Sequence, residues 1–202
     1  MIAIIDYGMG NLASVKNAFA KLGYEAGISS RPEDILAADK VVLPGVGAFA
    51  DAVNNLRRDG MDRVISEVVK KQTPLLGICL GLQLLFGASE ENGLHQGLGI
   101  IKGKVVKFDL PQEYKVPHMG WNQVRPAENS RLFKGIKTGS YFYFVHSYYV
   151  IPEDDSYITA TSDYSRDFVC ALERRNVFAT QFHPEKSGEP GLRILHNFAV
   201  LE

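Results

Sequence analysis

The segment Gly77-Ile78-Cys79-Leu80-Gly81 constrains this chain more than any other. An apolar run, Pro74-Leu75-Leu76, leads into it, and a second, Leu82-Gln83-Leu84-Leu85-Phe86, leads out. A buried strand is therefore expected to end at Cys79 and a helix to begin there. Gly-x-nucleophile-x-Gly is the form of a strained strand-to-helix elbow, here with sulfur in place of a serine hydroxyl. Glycine on either side lets the two arms of a sharp turn come close. Such a turn projects the sulfur at the carboxyl end of a sheet. It also sets it at a helix N-terminus, where the dipole and free N–H groups favour a thiolate. The N–H of Leu80 is left free to donate to an oxyanion. The plain alternative is a small buried thiol on a core strand. The paired glycines and the change from strand to helix argue against it.

A nucleophilic cysteine needs a base, and the base needs an orienting group. Of five histidines, one stands beside a carboxylate in a rigid setting: His183-Pro184-Glu185. A strand expected over Asn176–Phe182 leads into it. Residues i and i+2 of an extended segment face the same way, so Glu185 is expected beside the His183 ring. Pro184 fixes its own φ and biases His183 toward an extended backbone. A surface histidine near a glutamate is common, and the pair gains weight only from the cysteine elbow. Together they form a candidate triad, Cys79-His183-Glu185.

A length of 202 residues suits one domain, 1–202, with a full core. The formal charge is -1, so no basic field points to nucleic acid. The two cysteines, Cys79 and Cys170, do not make a disulfide framework. Cys170, in Phe168-Val169-Cys170-Ala171-Leu172, reads as an inert core thiol. Neither a signal peptide nor a membrane span is expected, which suits a reducing, cytoplasmic setting. His95, His118, His146 and His196 fall in separate segments without ligand spacing, so neither a metal nor a cofactor is expected. His95 reads as a polar loop residue and His196 as structural.

The first half alternates strands and helices. Strands are expected at Ile2–Ile5, Lys40–Leu43 and Pro74–Cys79. Asn11 should cap a helix with Leu12, Val15, Phe19 and Leu22 on its apolar face and Gly23 at its end. Ser30 and Glu33 form a plausible capping box. Met61, Val64, Ile65 and Val68 line a further helix. The second half holds strand-like runs at Gly99–Phe108, Tyr141–Ile151, Tyr157–Thr161, Phe168–Glu173 and Asn176–Phe182, with hairpin turns such as Arg174-Arg175. A last helix is expected from about Pro190 to Leu201. The pattern specifies an α/β, flavodoxin-like three-layer fold. Its central sheet is mostly parallel, with antiparallel additions in the C-terminal half, and its site lies at the carboxyl ends of the strands.

Two glycine-rich segments need separate readings. Gly8-Met9-Gly10-Asn11-Leu12-Ala13 satisfies a dinucleotide fingerprint. No ribose-binding acid follows at the usual distance, so a tight turn with a capping Asn11 is the simpler reading. In Leu43-Pro44-Gly45-Val46-Gly47 a strand ends and two glycines bracket Val46. Such a backbone either turns its N–H groups toward a ligand or is merely flexible. His118 and Trp121 flank Gly120 between strands, with Trp121 either stacked in the core or at an interface.

The elbow and the tail Gln181-Phe182-His183-Pro184-Glu185 resemble the class I (triad) glutamine amidotransferases. Four further segments narrow the resemblance to the glutaminase subunits of imidazole glycerol phosphate synthases. They are Asp6–Asn11, Leu43–Phe49, Val116-Pro117-His118-Met119-Gly120-Trp121-Asn122 and Tyr143–Tyr148. The resemblance spans nearly the whole chain in the same order. Leu82 departs from it, where the family often has Met, and the change is conservative.

The resemblance implies glutamine hydrolysis by the triad. It places the oxyanion between the Leu80 N–H and a group from Val46–Gly47. Gln83 and Glu91 read the substrate's amino end, the backbone at Ser147 and Tyr148 its carboxylate, and Gly45 is a further substrate-binding residue. Glu91 could equally be part of a solvated turn. The implied partner is a (β/α)8-barrel cyclase, forming a heterodimer in which ammonia travels through the barrel. Lys186, Tyr143, Trp121 and Asn11 are placed near that partner. A glutaminase for another synthase, such as anthranilate or pyridoxal phosphate synthase, stays open. So does a thiol hydrolase of another kind. A purely regulatory binding module fits poorly with an intact triad.

Overall fold

Strand β1 (Ile2–Ile5) is apolar throughout, and the computed structural model, which describes residues 1–201, buries it on both faces. Ala3 and Ile5 point into one core, Ile2 and Ile4 into the other. Period-two alternation with no polar face is what a central parallel strand requires. The same division recurs in β4 (Leu75–Cys79), where Leu75 faces one core and Leu76 and Ile78 the other. β1 lies between β2 (Ala26–Ser29) and β3 (Lys40–Gly45), and β4 between β3 and β13 (Val177–Thr180), all parallel. This gives a parallel run in the order β2-β1-β3-β4-β13.

Helices cover both faces. α2 (Pro32–Leu36), α3 (Phe49–Arg58), α4 (Met61–Lys70) and α5 (Leu80–Leu84) bury their apolar sides in the first core. α1 (Leu12–Lys21) and α6 (Gly188–Ala199) cover the second through Val15, Phe19, Ile194, Leu195 and Phe198. Asn11 caps α1 as expected, its side chain accepting from Ser14 N at 3.3 Å. Gly23, at φ +80°, follows its end. The Ser30–Glu33 capping box does not form. Arg31 is the cap residue of α2 and makes no side-chain cap. Ser29, one residue earlier, accepts from Arg31 N and donates to Asp34 instead. The helix starts one residue later than the box requires, with Pro32 at its first position.

The antiparallel additions continue from β13. β12 (Asp167–Arg174) pairs with it through the Arg174-Arg175 hairpin, Arg175 taking φ +55°. β10 (Tyr148–Pro152), β7 (Ile101–Lys107), β5 (Phe86–Ser89) and β6 (His95–Gln96) extend the sheet beyond β12, antiparallel except where β5 pairs with β7 in parallel. β11 (Ile158–Asp163) joins it to a ribbon of β8 (His118–Pro126) and β9 (Ser140–His146). Two expectations change. The run Tyr141–Ile151 is two strands, β9 and β10, divided at Ser147. The segment of His118 and Trp121 is not a connection but part of β8, and His95 sits in β6 rather than in a loop. Both strands are half-exposed, and their polar residues mask the alternation. Among the described residues no helix is long and apolar enough to cross a membrane.

Candidate active site

β4 ends in a reversal. Cys79 adopts φ +56° and ψ −109°, strained for any residue with a side chain. The flanking glycines permit it. A Cβ on Gly77 would lie 2.9 Å from the Gly81 carbonyl, and one on Gly81 only 1.9 Å from the Leu43 oxygen. The elbow thus closes on itself and on β3. Leu80 opens α5, so its N–H lies outside the helix's own bonds. α5 is only five residues long. The expected helix dipole therefore reduces to the free N–H groups of one turn.

Parallel pairing sets Gly45 of β3 opposite Cys79. Val46-Gly47 consequently leaves the sheet beside the sulfur, with Gly47 at φ +102°. Gly45 itself does not line the cavity. A Cβ there would lie 2.7 Å from the Tyr7 hydroxyl and 2.9 Å from Leu80 Cβ. Close packing here admits only glycine. Tyr7 donates to the Pro44 carbonyl at 2.9 Å, bracing the same loop.

His183 follows β13 and is tied to β9, its N–H donating to the Tyr143 carbonyl at 3.0 Å. Its Nδ1–H donates to Glu185 Oε1 at 2.8 Å. The two do not meet across an extended segment, as expected from their spacing. Pro184–Lys186 is a single 3-10 turn that folds the carboxylate back onto the ring. Both side chains are buried, and His183 Nε2 has no hydrogen-bond partner. Of its neighbours, the Cys79 sulfur does most to favour the charged form of this ring.

One cavity of about 310 Å³ brings Cys79 and His183 together with Val46, Gly47, Leu80, Gln83, Glu91, Ser147 and Tyr148. Gln83 donates to the Tyr148 carbonyl and to Gln181 Oε1, each at 3.1 Å. Glu91 is no solvated turn. Its carboxylate accepts from Phe49 N at 2.9 Å, capping the N-terminus of α3. Pro117, Val145 and His146 also line the cavity, and Gln181 Nε2 donates to the Cys79 sulfur at 3.8 Å. Sequence reasoning assigned these four no separate role. For Gln181 a signal existed: a glutamine at the end of a core strand needs a buried partner.

Residues 3–201 match the family model for class-I glutamine amidotransferases. The imidazole glycerol phosphate synthase subunit HisH of Syntrophotalea carbinolica is 55% identical over 203 residues, covering 98% of each chain. The HisH subunit of Moorella thermoacetica is 53% identical, covering 99% of this chain and 94% of its own. The chain belongs to the class-I glutamine amidotransferases, among the HisH subunits. A crystal structure of a glutamine amidotransferase shares the fold, with a TM-score of 0.77, 17% identity and coverage of 99% and 100% of the two chains.

In this amidotransferase the residues expected at a partner surface are unevenly placed. Trp121 is 55% exposed, which removes the stacked-core alternative. It meets Tyr143 across the β8–β9 ribbon with ring centroids 6.1 Å apart, and Lys186 Nζ lies 6.0 Å from the Tyr143 ring. Met119, 63% exposed, continues the patch and pairs with Val145 at the cavity wall. Asn11 is exposed and occupied as the cap of α1. Cys170 is fully buried in β12, and burial raises its thiol pKa.

The histidines shift in opposite directions. Burial disfavours charge on His183, but Cys79 and Glu185 more than offset this and raise its pKa to about 10. Burial alone lowers His118 to about 4 and, with smaller contributions, His146 to about 3. Between the ordinary value of 6.5 and about 10, the folded amidotransferase keeps a proton on His183 that the unfolded chain has released. Stability from this group is therefore full below pH 6.5 and lost as pH rises through 10. Below 6.5 the unfolded chain takes up protons that folded His118 and His146 refuse, so stability falls toward acid as well. Urea midpoints against pH should peak near neutrality, and His183→Gln should flatten the alkaline arm. An unchanged alkaline arm in that variant counts against the His183 shift.

Proposed function

We propose that this amidotransferase hydrolyses glutamine to glutamate and ammonia in the cytoplasm. The ammonia passes to a (β/α)8-barrel cyclase, completing an imidazole glycerol phosphate synthase of histidine biosynthesis. One observation carries this reading. A single cavity holds the strained Cys79 elbow and the His183 ring, whose far nitrogen is anchored on Glu185 at 2.8 Å.

His183 Nε2 holds the proton given up by the Cys79 thiol, so the resting pair is a thiolate beside an imidazolium that Glu185 stabilises. The sulfur attacks the side-chain amide carbon of glutamine. The Leu80 N–H, with a group from Val46–Gly47, holds the oxyanion. The C–N bond breaks, His183 returns its proton to the departing nitrogen, and ammonia leaves a thioester on Cys79. Water, deprotonated by His183, attacks the thioester carbon. Collapse expels the sulfur and releases glutamate. Gln83 and Glu91 lie toward the substrate's amino group, and the backbone at Ser147 and Tyr148 toward its carboxylate.

Ammonia released into water would be protonated and lost, so a closed path to a second subunit is needed. The Trp121–Tyr143–Met119 patch, with Lys186 at its margin, offers an apolar, aromatic seat on the same β8–β9 ribbon whose Val145 and His146 line the cavity. A free subunit hydrolysing glutamine at full rate would waste it. The glycines around Val46 make rotation of an oxyanion peptide sterically cheap. Loss of one oxyanion donor costs roughly 100- to 1,000-fold in rate. The isolated chain should therefore turn glutamine over slowly. Cyclase plus its nucleotide should raise turnover by roughly that factor, with little change in KM. Steady-state assays of the chain alone, with cyclase and with cyclase plus nucleotide test this. Equal turnover in all three removes the switch, and failure to bind a barrel cyclase removes the assigned partner.

A further inference from the structure

Two buried histidines lie beside the triad without entering its chemistry. His118, on β8, and His146, on β9, face each other in adjacent strands, with Nδ1 of His118 3.2 Å from Nε2 of His146. The protons on this pair are determined by its two ends. Nδ1 of His146 lies 2.8 Å from the Tyr148 carbonyl, which can only accept, so it carries a proton. In a neutral ring Nε2 of His146 is then an acceptor, and Nδ1–H of His118 is its donor. Nε2 of His118 accepts in turn from Asn122 Nδ2 at 3.3 Å. Asn122 cannot reverse its amide cheaply. Its Nδ2 also donates to the Asp163 carbonyl at 2.7 Å, and its Oδ1 accepts from Gln123 N at 2.8 Å.

The same Tyr148 carbonyl accepts from Gln83 Nε2, which also donates to Gln181 Oε1. With its oxygen so engaged, Gln181 presents Nε2–H to the Cys79 sulfur. Resting on the assignment of Cys79 as nucleophile, we propose that His118 and His146 are positioning residues. They anchor the Tyr148 carbonyl and, through Gln83 and Gln181, aim an N–H at the sulfur. The network thus joins the base of the exposed Trp121 strand to the nucleophile. Burial keeps both rings neutral above about pH 4, so one direction of donation persists at working pH. The ionisable groups around the pair reinforce this. The charges of His118 and His183 both oppose protonation of His146.

The test reads the sulfur directly. The full chain is treated with iodoacetamide, and carbamidomethylation of Cys79 is followed by mass spectrometry from pH 6 to 9, with melting curves alongside. His146→Phe preserves ring packing and removes both nitrogens. It should slow Cys79 modification at neutral pH roughly 5- to 10-fold, the worth of about one buried hydrogen bond. His146→Asn, which keeps a donor near the Tyr148 carbonyl, should retain most of the rate. Gln181→Met, nearly isosteric, should be at least as slow as His146→Phe. Should His146→Phe fail to fold, His118→Phe against His118→Asn makes the same comparison one link further out. Wild-type reactivity in the Phe variants, or equal loss in Phe and Asn variants, overturns the proposal. Normal modification chemistry without any glutamine hydrolysis would instead count against the proposed function and leave the network intact.

Discussion

Replacing Cys79 with serine is expected to lower glutamine-driven synthesis at least about 1,000-fold, since the attacking atom is lost. The fold should survive. Serine differs by one atom, and the strain at this position belongs to the backbone turn, which the glycines sustain. The assembled enzyme should still run on added ammonium salts, because ammonia is all that the triad supplies. His183→Gln should behave likewise. A diazo-ketone analogue of glutamine should label Cys79 and leave Cys170 untouched. Cys170 is fully buried, and desolvation raises its thiol pKa. Loss of both glutamine- and ammonium-driven activity in a well-assembled Cys79→Ser complex would show that the residue does more than make ammonia. Label on Cys170 with Cys79 unmodified would sink the assignment.

Gly81→Ala should be the most damaging small substitution in the fold. Its Cβ would sit 1.9 Å from the Leu43 oxygen and 3.0 Å from the Leu43 carbonyl carbon. Both atoms are backbone of a central strand, so no side chain can swing aside. Either α5 lifts off the sheet or β3 shifts, at about 3 kcal/mol or more. For a chain of this size, that lowers the melting temperature by roughly 6–12 °C. Leu80 is its neighbour, so the candidate oxyanion N–H moves too, and activity should fall further than stability explains. Gly27→Ala is the control: nothing lies within 4 Å of its added Cβ, and its φ is not positive. A Gly81→Ala chain melting within a degree or two of the Gly27→Ala chain would refute the close packing of the elbow.

The residues themselves carried the elbow, the parallel half of the sheet and the pairing of His183 with Glu185. Each rests on local rules. Apolar runs without a polar face mark buried strands, glycines mark close approach, and proline restricts its neighbours. What local rules could not supply was contact between distant segments. The His183–Glu185 spacing suggested an extended segment, yet a 3-10 turn makes the bond. Gly45 reads as a loop glycine, and only the register opposite Cys79 shows that it also packs tightly against Tyr7 and Leu80. Glu91 in Ser89-Glu90-Glu91 looks solvated until the fold lays it on the first turn of α3. The His118–His146 pair was least visible, because it exists only through the antiparallel register of β8 and β9. Chemical type and local turn geometry are written in short stretches of sequence. Which polar atoms find one another depends on strand register and chain crossings, and these are set by burial of the whole core rather than by any one segment.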